Sequence, residues 1–166
     1  RFELRGGPRG GTEVQMAFGL HEEIDPGLYD GPLSAFDPTG PPGELVVSIA
    51  PAALAKSVLG RLTAALCVLA ELSIDRLADA QIISDAIAAE PARLDGRAHL
   101  SVGFVTSPRR LELRVGPLPR GRAEEIVRAS ELPGLGTVLG KLADELTIEP
   151  LESAETLHLT VLERAL

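Results

Sequence analysis

The chain of 166 residues carries 24 acidic and 16 basic residues, which gives it a formal net charge of −8. Partners that bind concentrated Lys and Arg, namely nucleic acids and anionic membrane surfaces, are therefore excluded. Hydrophobic residues make up 45% of the chain and aromatic residues only 3%, so a single domain of this length must build its core from aliphatic side chains.

Cysteine and histidine usage predicts neither a disulfide nor a metal site. Cys67 is the single cysteine, so no intrachain disulfide and no thiolate metal site can form. The three histidines, His21, His99 and His158, are scattered along the sequence and do not have zinc-ligand spacing. The longest uncharged apolar run, "TAALCVLA", is far shorter than the roughly 20 residues of a membrane span. With no signal peptide visible, we expect a cytoplasmic protein.

The first 43 residues divide into two parts. Residues 1–20 alternate apolar and polar side chains on either side of "GGPRGG", which predicts a β-hairpin. This hairpin could be the tail of an upstream domain, or a local hairpin that pairs with an edge of this domain or with a partner. Residues 21–43 are rich in Pro and Gly and have no sustained period, so they are interpreted as a linker. The organised domain is expected over residues 44–166.

The first half of this domain predicts a strand and two helices. "ELVVSIA" is a short strand, and a helix should follow over residues 52–72. Its predicted core stripe consists of Leu54, Val58, Leu62, Ala65, Leu66 and Leu69. Ser73 or Asp75 can cap a second helix that runs to about Glu90, with three side chains directed at the core. These are Leu77, Ile83 and Ile87.

The second half predicts mainly antiparallel strands. "RAHLSVGFVT" and "RLELRVG" form a hairpin around "SPRR", and a short helix is expected at about 123–129. A helix after the glycines of "ELPGLGTVLGKLADEL" should place Val138, Leu139, Leu142, Ala143 and Leu146 on one face, before two final strands. The order β-α-α-β-β-α-α-β-β predicts an α+β, two-layer sandwich: a mixed, mostly antiparallel sheet with helices on one face.

The glycine turn before that last helix is the candidate anion site. Backbone N–H groups at a helix start can point at a phosphate, and the helix dipole adds to the attraction. Gly134 and Gly136 supply the backbone freedom, and Thr137 could cap the helix or contact the anion. These three residues are the phosphate-loop candidates. The alternative is a tight turn into an amphipathic helix, with no ligand.

Three stretches, "LADAQIISDAIAAE", "LELRVGPLPRG" and "LPGLGTVLGKLADELTIEP", resemble the GHKL (histidine-kinase-like) ATPase fold over residues 44–166. The closest branch is the anti-sigma-factor serine kinases and related bacterial regulators of transcription. The resemblance implies a helix Glu that acts as a base and, four residues later, an Asn that binds the magnesium of ATP. It also implies an Asp-x-Gly-x-Gly motif that contacts adenine.

The sequence departs from that pattern at two of the three motifs. Asp85 stands at the position of the Glu, and Ala89, which has no oxygen to offer Mg²⁺, stands at the position of the Asn. Gly116 or Pro117 occupies the place of the adenine-binding Asp. Asp85 is thus the one catalytic candidate. The resemblance implies a degenerate ATPase domain, a pseudo-enzyme of bacterial signalling, with no cofactor and no bound metal.

The function expected on this resemblance is regulation by protein–protein contact. The partner would be a sigma factor, an anti-sigma antagonist or an upstream domain, and a homodimer is a further possibility. Two alternatives stay open. The chain could be an active ATP-dependent serine kinase whose rearranged pocket still uses ATP and Mg²⁺, or a small-molecule sensor that uses the vacated pocket.

Overall fold

The computed structural model describes residues 2–6, 12–16, 44–49, 54–89, 100–132, 134 and 136–164. The predicted linker 21–43 and the histidines His21 and His99 lie outside these residues. Within the described part of the chain there are four helices: α1 (Ala55–Leu69), α2 (Ile74–Ala89), α3 (Arg122–Ala129) and α4 (Val138–Leu142). The strands described are β1 (Phe2–Gly6), β2 (Thr12–Met16), β3 (Leu45–Ile49), β4 (Leu100–Ser107), β5 (Arg110–Leu118), β6 (Glu131–Leu132), β7 (Gly136–Thr137), β8 (Glu145–Pro150) and β9 (Glu155–Leu162).

Five of the strands form one antiparallel sheet in the order β3-β4-β5-β9-β8. The predicted hairpin at "SPRR" is present: Ser107 pairs with Arg110, and the two-residue turn places Arg109 at a left-handed φ of 64°. Two smaller pairs accompany the sheet. β1 pairs with β2 from Phe2 opposite Met16, and β6 pairs with β7.

The core lies between the helices and one face of this sheet. Alternate strand residues point to that face because side chains in a strand have a period of two. The buried strand residues in this layer include Val102, Phe104, Leu111, Leu113, Val115, Leu157, Leu159 and Val161. Leu59 from α1 and Ile83 and Ile87 from α2 belong to the same buried cluster. The chain is therefore an α+β protein, as the sequence predicts, but its five-stranded sheet is antiparallel throughout and not mixed.

Helix α1 buries a face that only partly matches the predicted stripe: Leu66 is buried, and Leu54, Val58 and Leu62 pack against the core. Ala65 and Leu69, both in the predicted stripe, are exposed, and Leu69 is 72% exposed. The buried residues are Ala55, Leu59, Thr63, Leu66 and Cys67. Because α1 has apolar residues almost all round, hydrophobic period alone allows more than one stripe. Packing against α2 and the sheet selects between them.

Helix α4 is shorter than predicted, because the chain leaves it to join the sheet. The helix ends at Leu142, and Leu146, expected on the same helical face, is instead a strand residue of β8 that pairs with Leu159. The change of direction takes place at Asp144, whose N–H donates to the carbonyl of Thr160 at 2.8 Å. Tertiary hydrogen bonding to β9 therefore overrides the helical spacing of this segment.

None of the helices in the described part of the chain is both long enough and apolar enough to cross a bilayer.

Candidate functional site

The glycine turn joins β6 to β7. Gly134 and Gly136 have φ values of 76° and 75°, which are left-handed conformations that side chains disfavour. Leu132 pairs with Gly136 across the turn, and Glu131 pairs with Thr137. The glycines are thus explained by the backbone of a tight hairpin. Thr137 is the residue before α4, and its hydroxyl makes no capping hydrogen bond to that helix.

The backbone donors at the start of α4 already have protein partners. The N–H of Val138 donates to the carbonyl oxygen of Ser130 at 3.0 Å. The next N–H, of Leu139, lies 3.4 Å from the Ser130 hydroxyl oxygen and donates to it. A phosphate at this turn would have to compete with Ser130 for the N–H groups that should bind it.

Asp85 lies on α2 and faces α1. Its carboxylate is 3.3 Å from Nζ of Lys56, and the side chains are 47% and 72% exposed, respectively. Ala89, the last residue of α2, is exposed as well. An exposed ion pair of this kind contributes at most about 1 kcal/mol and leaves the carboxylate in water. The structure therefore brings Asp85 together with a basic residue of the neighbouring helix.

The residues at the adenine-motif position are packed closely against β9. A Cβ atom on Gly116 would lie 3.1 Å from both the carbonyl oxygen of Glu155 and the hydroxyl oxygen of Thr156. The nearby carboxylate belongs to Glu155, which is buried and accepts a 2.6 Å hydrogen bond from the N–H of Ala123 in the first turn of α3. Glu155 therefore stabilises the N-terminus of α3, where a negative charge is favoured.

A buried arginine that sequence reasoning missed connects α2 to the end of β9 and to the segment between α4 and β8. Arg76 is 3% exposed, and its guanidinium forms ion pairs with Asp79 and Asp144. Its Nε donates to the carbonyl oxygen of Leu162 at 2.8 Å. A signal was present in the sequence, since Arg76, Ala80 and Ile83 have the spacing of one helical face. A basic side chain on the core-facing side of α2 predicts an acidic partner buried next to it.

The face of the sheet away from the helices carries a charged group that we call the open-face cluster: Glu44, Arg110, Glu112, Arg114, Glu149 and His158. Glu112 accepts a 2.9 Å hydrogen bond from Nε of Arg114, and its Oε1 is 3.7 Å from Nδ1 of His158. Nε2 of the same histidine is 3.1 Å from Oε2 of Glu149. The cluster ties β5, β9 and β8 together by charge.

The pKa values of two half-buried carboxylates of this cluster, Glu112 and Glu44, shift in opposite directions. Burial works to raise the pKa of Glu112, but hydrogen bonds and charge from Arg114 and Arg110 outweigh it and lower that pKa below the ordinary value. Burial raises the pKa of Glu44, and the positive charge of Arg114 only partly opposes the effect. Opposed shifts of this kind fit a structural network that fixes the sheet.

Among the described residues, the large apolar side chains with the highest exposed fractions lie on the outer side of the two long helices. Val68, Leu69 and Ile74 are 69%, 72% and 76% exposed, and Ile82 is 48% exposed. Together with the exposed alanines they form a surface that we call the hairpin patch: Ala65, Val68, Leu69, Ile74, Ala78 and Ile82. Exposed apolar side chains grouped in this way make the surface a candidate for contact with another protein.

No three His, Cys, Asp or Glu side chains among the described residues are arranged to hold a metal ion. The structure does not bring the predicted site residues into one pocket-forming group. Asp85 pairs with Lys56 of α1, whereas Gly136 and Thr137 belong to the small sheet beside Ser130. The sequence matches no protein-family model and no curated protein.

Proposed function

We propose that this chain is a regulatory protein-interaction domain with a GHKL-type fold, related to the anti-sigma-factor serine kinases, and that it works without ATP chemistry. The order of helices and strands over residues 44–166 and the five-stranded antiparallel sheet are compatible with that fold. A sigma factor, an anti-sigma antagonist or an upstream domain is the kind of partner this assignment implies.

The observation that carries the proposal is the hairpin patch. Val68, Leu69 and Ile74 each expose more than two thirds of their surface on the side of the helices away from the sheet. Each of these side chains would gain from leaving water, at about 25 cal/mol per Å² of apolar surface buried. A domain that retains such a surface on its longest helices is built to be covered by another protein surface.

The groups at the ATP-motif positions support the same assignment. Asp85 is paired with Lys56 at 3.3 Å, and Ala89 has no oxygen with which to bind Mg²⁺. The carbonyl and hydroxyl of Ser130 accept hydrogen bonds from the first two N–H groups of α4. The carboxylate and the N–H groups that a nucleotide would need are thus engaged in contacts within the fold.

A thermal titration with Mg-ATP tests the proposal. A ligand at about 100 times its Kd stabilises the native state by about 2.7 kcal/mol, which for a domain of this size raises Tm by several degrees. We expect no shift with Mg-ATP, and none with ADP or with Mg²⁺ alone. A saturable rise that requires both ATP and Mg²⁺ would contradict the proposal and favour an active kinase with a rearranged pocket.

A further inference from the structure

The outer surfaces of α1 and α2 meet along a groove whose floor consists mainly of small side chains. Lys56 of α1 and Asp85 of α2 are in contact at 3.3 Å, so the helix rows that contain these two residues run side by side. Positions four and seven residues apart share a helix face. The two rows therefore contain the residues that we call the interhelical groove: Gly60, Ala64 and Val68 of α1, and Ile74 and Ala78 of α2. A Cβ atom on Gly60 would meet no other atom within 4 Å, so the groove is open at this level.

A rim of exposed side chains lies on each side of the interhelical groove. The rim of α1 consists of Arg61, Ala65 and Leu69, which are spaced four residues apart and are all exposed. The rim of α2 includes Asp75 and Ile82, which are also exposed. Each rim therefore combines apolar surface with an exposed charge.

The two rims have charges of opposite sign. Helix α1 has no acidic residue between 55 and 69, and the one basic residue of α2, Arg76, is buried in its own ion pairs. Within the part of the chain that the structure describes, neither Arg61 nor Asp75 forms an ion pair. A surface that covers the groove therefore meets a free positive charge over α1 and a free negative charge over α2.

We propose that the interhelical groove binds an amphipathic helix of another protein. This helix has apolar side chains on the side that enters the groove, acidic residues on the flank over α1 and basic residues on the flank over α2. The inference rests on the proposed function in taking the domain to act by protein contact, and it adds the chemistry of the partner. From Gly60 to Leu69 the groove extends about 14 Å at 1.5 Å per residue, so about nine residues of a partner helix cover it.

The shape and the chemistry of the groove favour a helix as the occupant. The small side chains of Gly60, Ala64 and Ala78 let a third helix approach to an interaxial distance of about 8–10 Å. Val68 and Ile74 supply larger apolar contacts near the turn between α1 and α2. An extended strand would need backbone hydrogen-bond partners, which the side-chain surface of two helices does not supply. The opposite charges of the rims then select the flanks of the helix and exclude partners with the same charge on both.

Binding of a designed helical peptide to the full chain tests the inference. The first probe is a two-heptad peptide with Leu at positions a and d, Glu at e and Lys at g, and it is held helical by a hydrocarbon staple on its solvent side. We expect saturable binding to the wild-type chain in isothermal titration calorimetry. A wild-type chain that does not bind this probe would overturn the proposal. If that chain also sediments as a dimer, the groove is assigned to a second copy instead.

A pair of variants tests whether the probe lies in the groove. Ala78→Gln places an uncharged amide on the groove floor at an exposed helical position, so folding is little affected. We expect the Kd of the probe to rise about tenfold, because the amide loses its water without gaining a partner. Ala129→Gln is the matched control, since Ala129 is an exposed helical alanine at the end of α3. Equal affinities of these two variants would show that the probe binds elsewhere.

A charge exchange tests the role of the rims. The second probe carries Lys at both e and g, and we expect the wild-type chain to bind it about fivefold more weakly, as expected for an exposed charge pair. With Arg61→Glu both rims are acidic, and the preference should reverse in favour of the second probe. Salt should reduce both differences. If the two probes bind the wild type and Arg61→Glu equally well, the rims do not select the partner and the proposal is wrong.

The outcome is separable from that of the proposed function. A chain that binds neither probe and shows no Mg-ATP shift overturns only the amphipathic helix as the occupant of the groove. A chain that binds the first probe and whose Tm rises with Mg-ATP retains this inference and overturns the proposal of an ATP-independent domain.

Discussion

Arg76 and Asp144, 68 positions apart in the sequence, form an ion pair that joins α2 to the connection between α4 and β8. Asp144 also accepts a 2.8 Å hydrogen bond from the N–H of Leu162, and Arg76 donates to the carbonyl of the same residue at 2.8 Å. The pair therefore links three elements: α2, the connection between α4 and β8, and the end of β9. It holds the segment that follows the glycine turn in the sheet.

Breaking this pair should destabilise the fold. Losing a hydrogen bond to a charged group costs about 1–3 kcal/mol; the cost stays in this range because Asp144, whose side chain is 21% exposed, keeps its contact with Arg164. We expect Arg76→Leu to lower the free energy of unfolding in urea by this amount. Arg164→Leu is the control, because Arg164 is 65% exposed and lies 3.7 Å from the same carboxylate. A cost for Arg76→Leu as small as the cost for Arg164→Leu would contradict the role given to Arg76.

Glu155 should stabilise α3 through its carboxylate. Glu155→Ala leaves the buried N–H of Ala123 without its 2.6 Å acceptor, and loss of a cap costs about 0.5–2 kcal/mol. Glu155→Gln, which keeps an acceptor oxygen, should cost less. Urea unfolding of the two variants, with the exposed Glu152→Ala as control, measures the difference. Equal stability of Glu155→Ala and wild type would show that α3 does not depend on this contact.

The open-face cluster predicts acid-dependent stability. The pKa of Glu112 is lower in the folded chain than the ordinary value of 4.5, so the unfolded state binds the proton more tightly. The stability that Glu112 contributes is complete above about pH 4.5. It is lost as the pH falls through the lower pKa of the folded state. Glu112→Gln should cost about 1–2 kcal/mol at pH 7 and less at pH 3. A cost that does not change between these two pH values would contradict the assignment.

Glu44 should show the opposite dependence. Burial raises its pKa above 4.5 in the folded chain, so the folded state binds the proton more tightly. The stability that Glu44 contributes is present below pH 4.5 and is lost as the pH rises through the folded pKa. Relative to wild type, Glu44→Gln should therefore become more stable between pH 4 and pH 7. Urea unfolding at several pH values reports the sign, and a relative loss over this range would be inconsistent with the buried carboxylate.

Cys67 should be unreactive in the native protein. The thiol lies on the buried face of α1, and burial raises its pKa from 9.0 to about 11. A rise of two units reduces the thiolate fraction at neutral pH about a hundredfold. We expect Ellman's reagent to modify the native chain at least that much more slowly than the chain unfolded in urea. Equal rates in the two states would mean that α1 does not cover this side chain.

The sequence predicted those parts of the fold whose signal is local. The hairpin at "SPRR" and the final strands have alternating side chains and turn residues, and both form as expected. The length of α4 was predicted wrongly because Leu142 and Leu146 have helical spacing, while Leu146 and Ile148 also have strand spacing. The bond from the N–H of Asp144 to Thr160, which decides between them, joins residues far apart in the sequence.

Local sequence signals were also insufficient to predict the contacts of the candidate site residues. Gly134 and Gly136 could be identified as turn residues from the sequence, and both have left-handed φ. That Ser130 accepts hydrogen bonds from the first N–H groups of α4 depends on how α3 and α4 pack, which no local pattern encodes. The hairpin patch was missed for a related reason. Leu69 was assigned to the core because apolar residues lie on both sides of α1.

Hydrogen exchange, resolved by peptide, tests the central claim that this domain works without nucleotide. We predict that Mg-ATP changes the exchange rate neither over residues 131–142, which contain the glycine turn and α4, nor over residues 74–89 of α2. Protection of either segment that requires Mg-ATP would contradict the account.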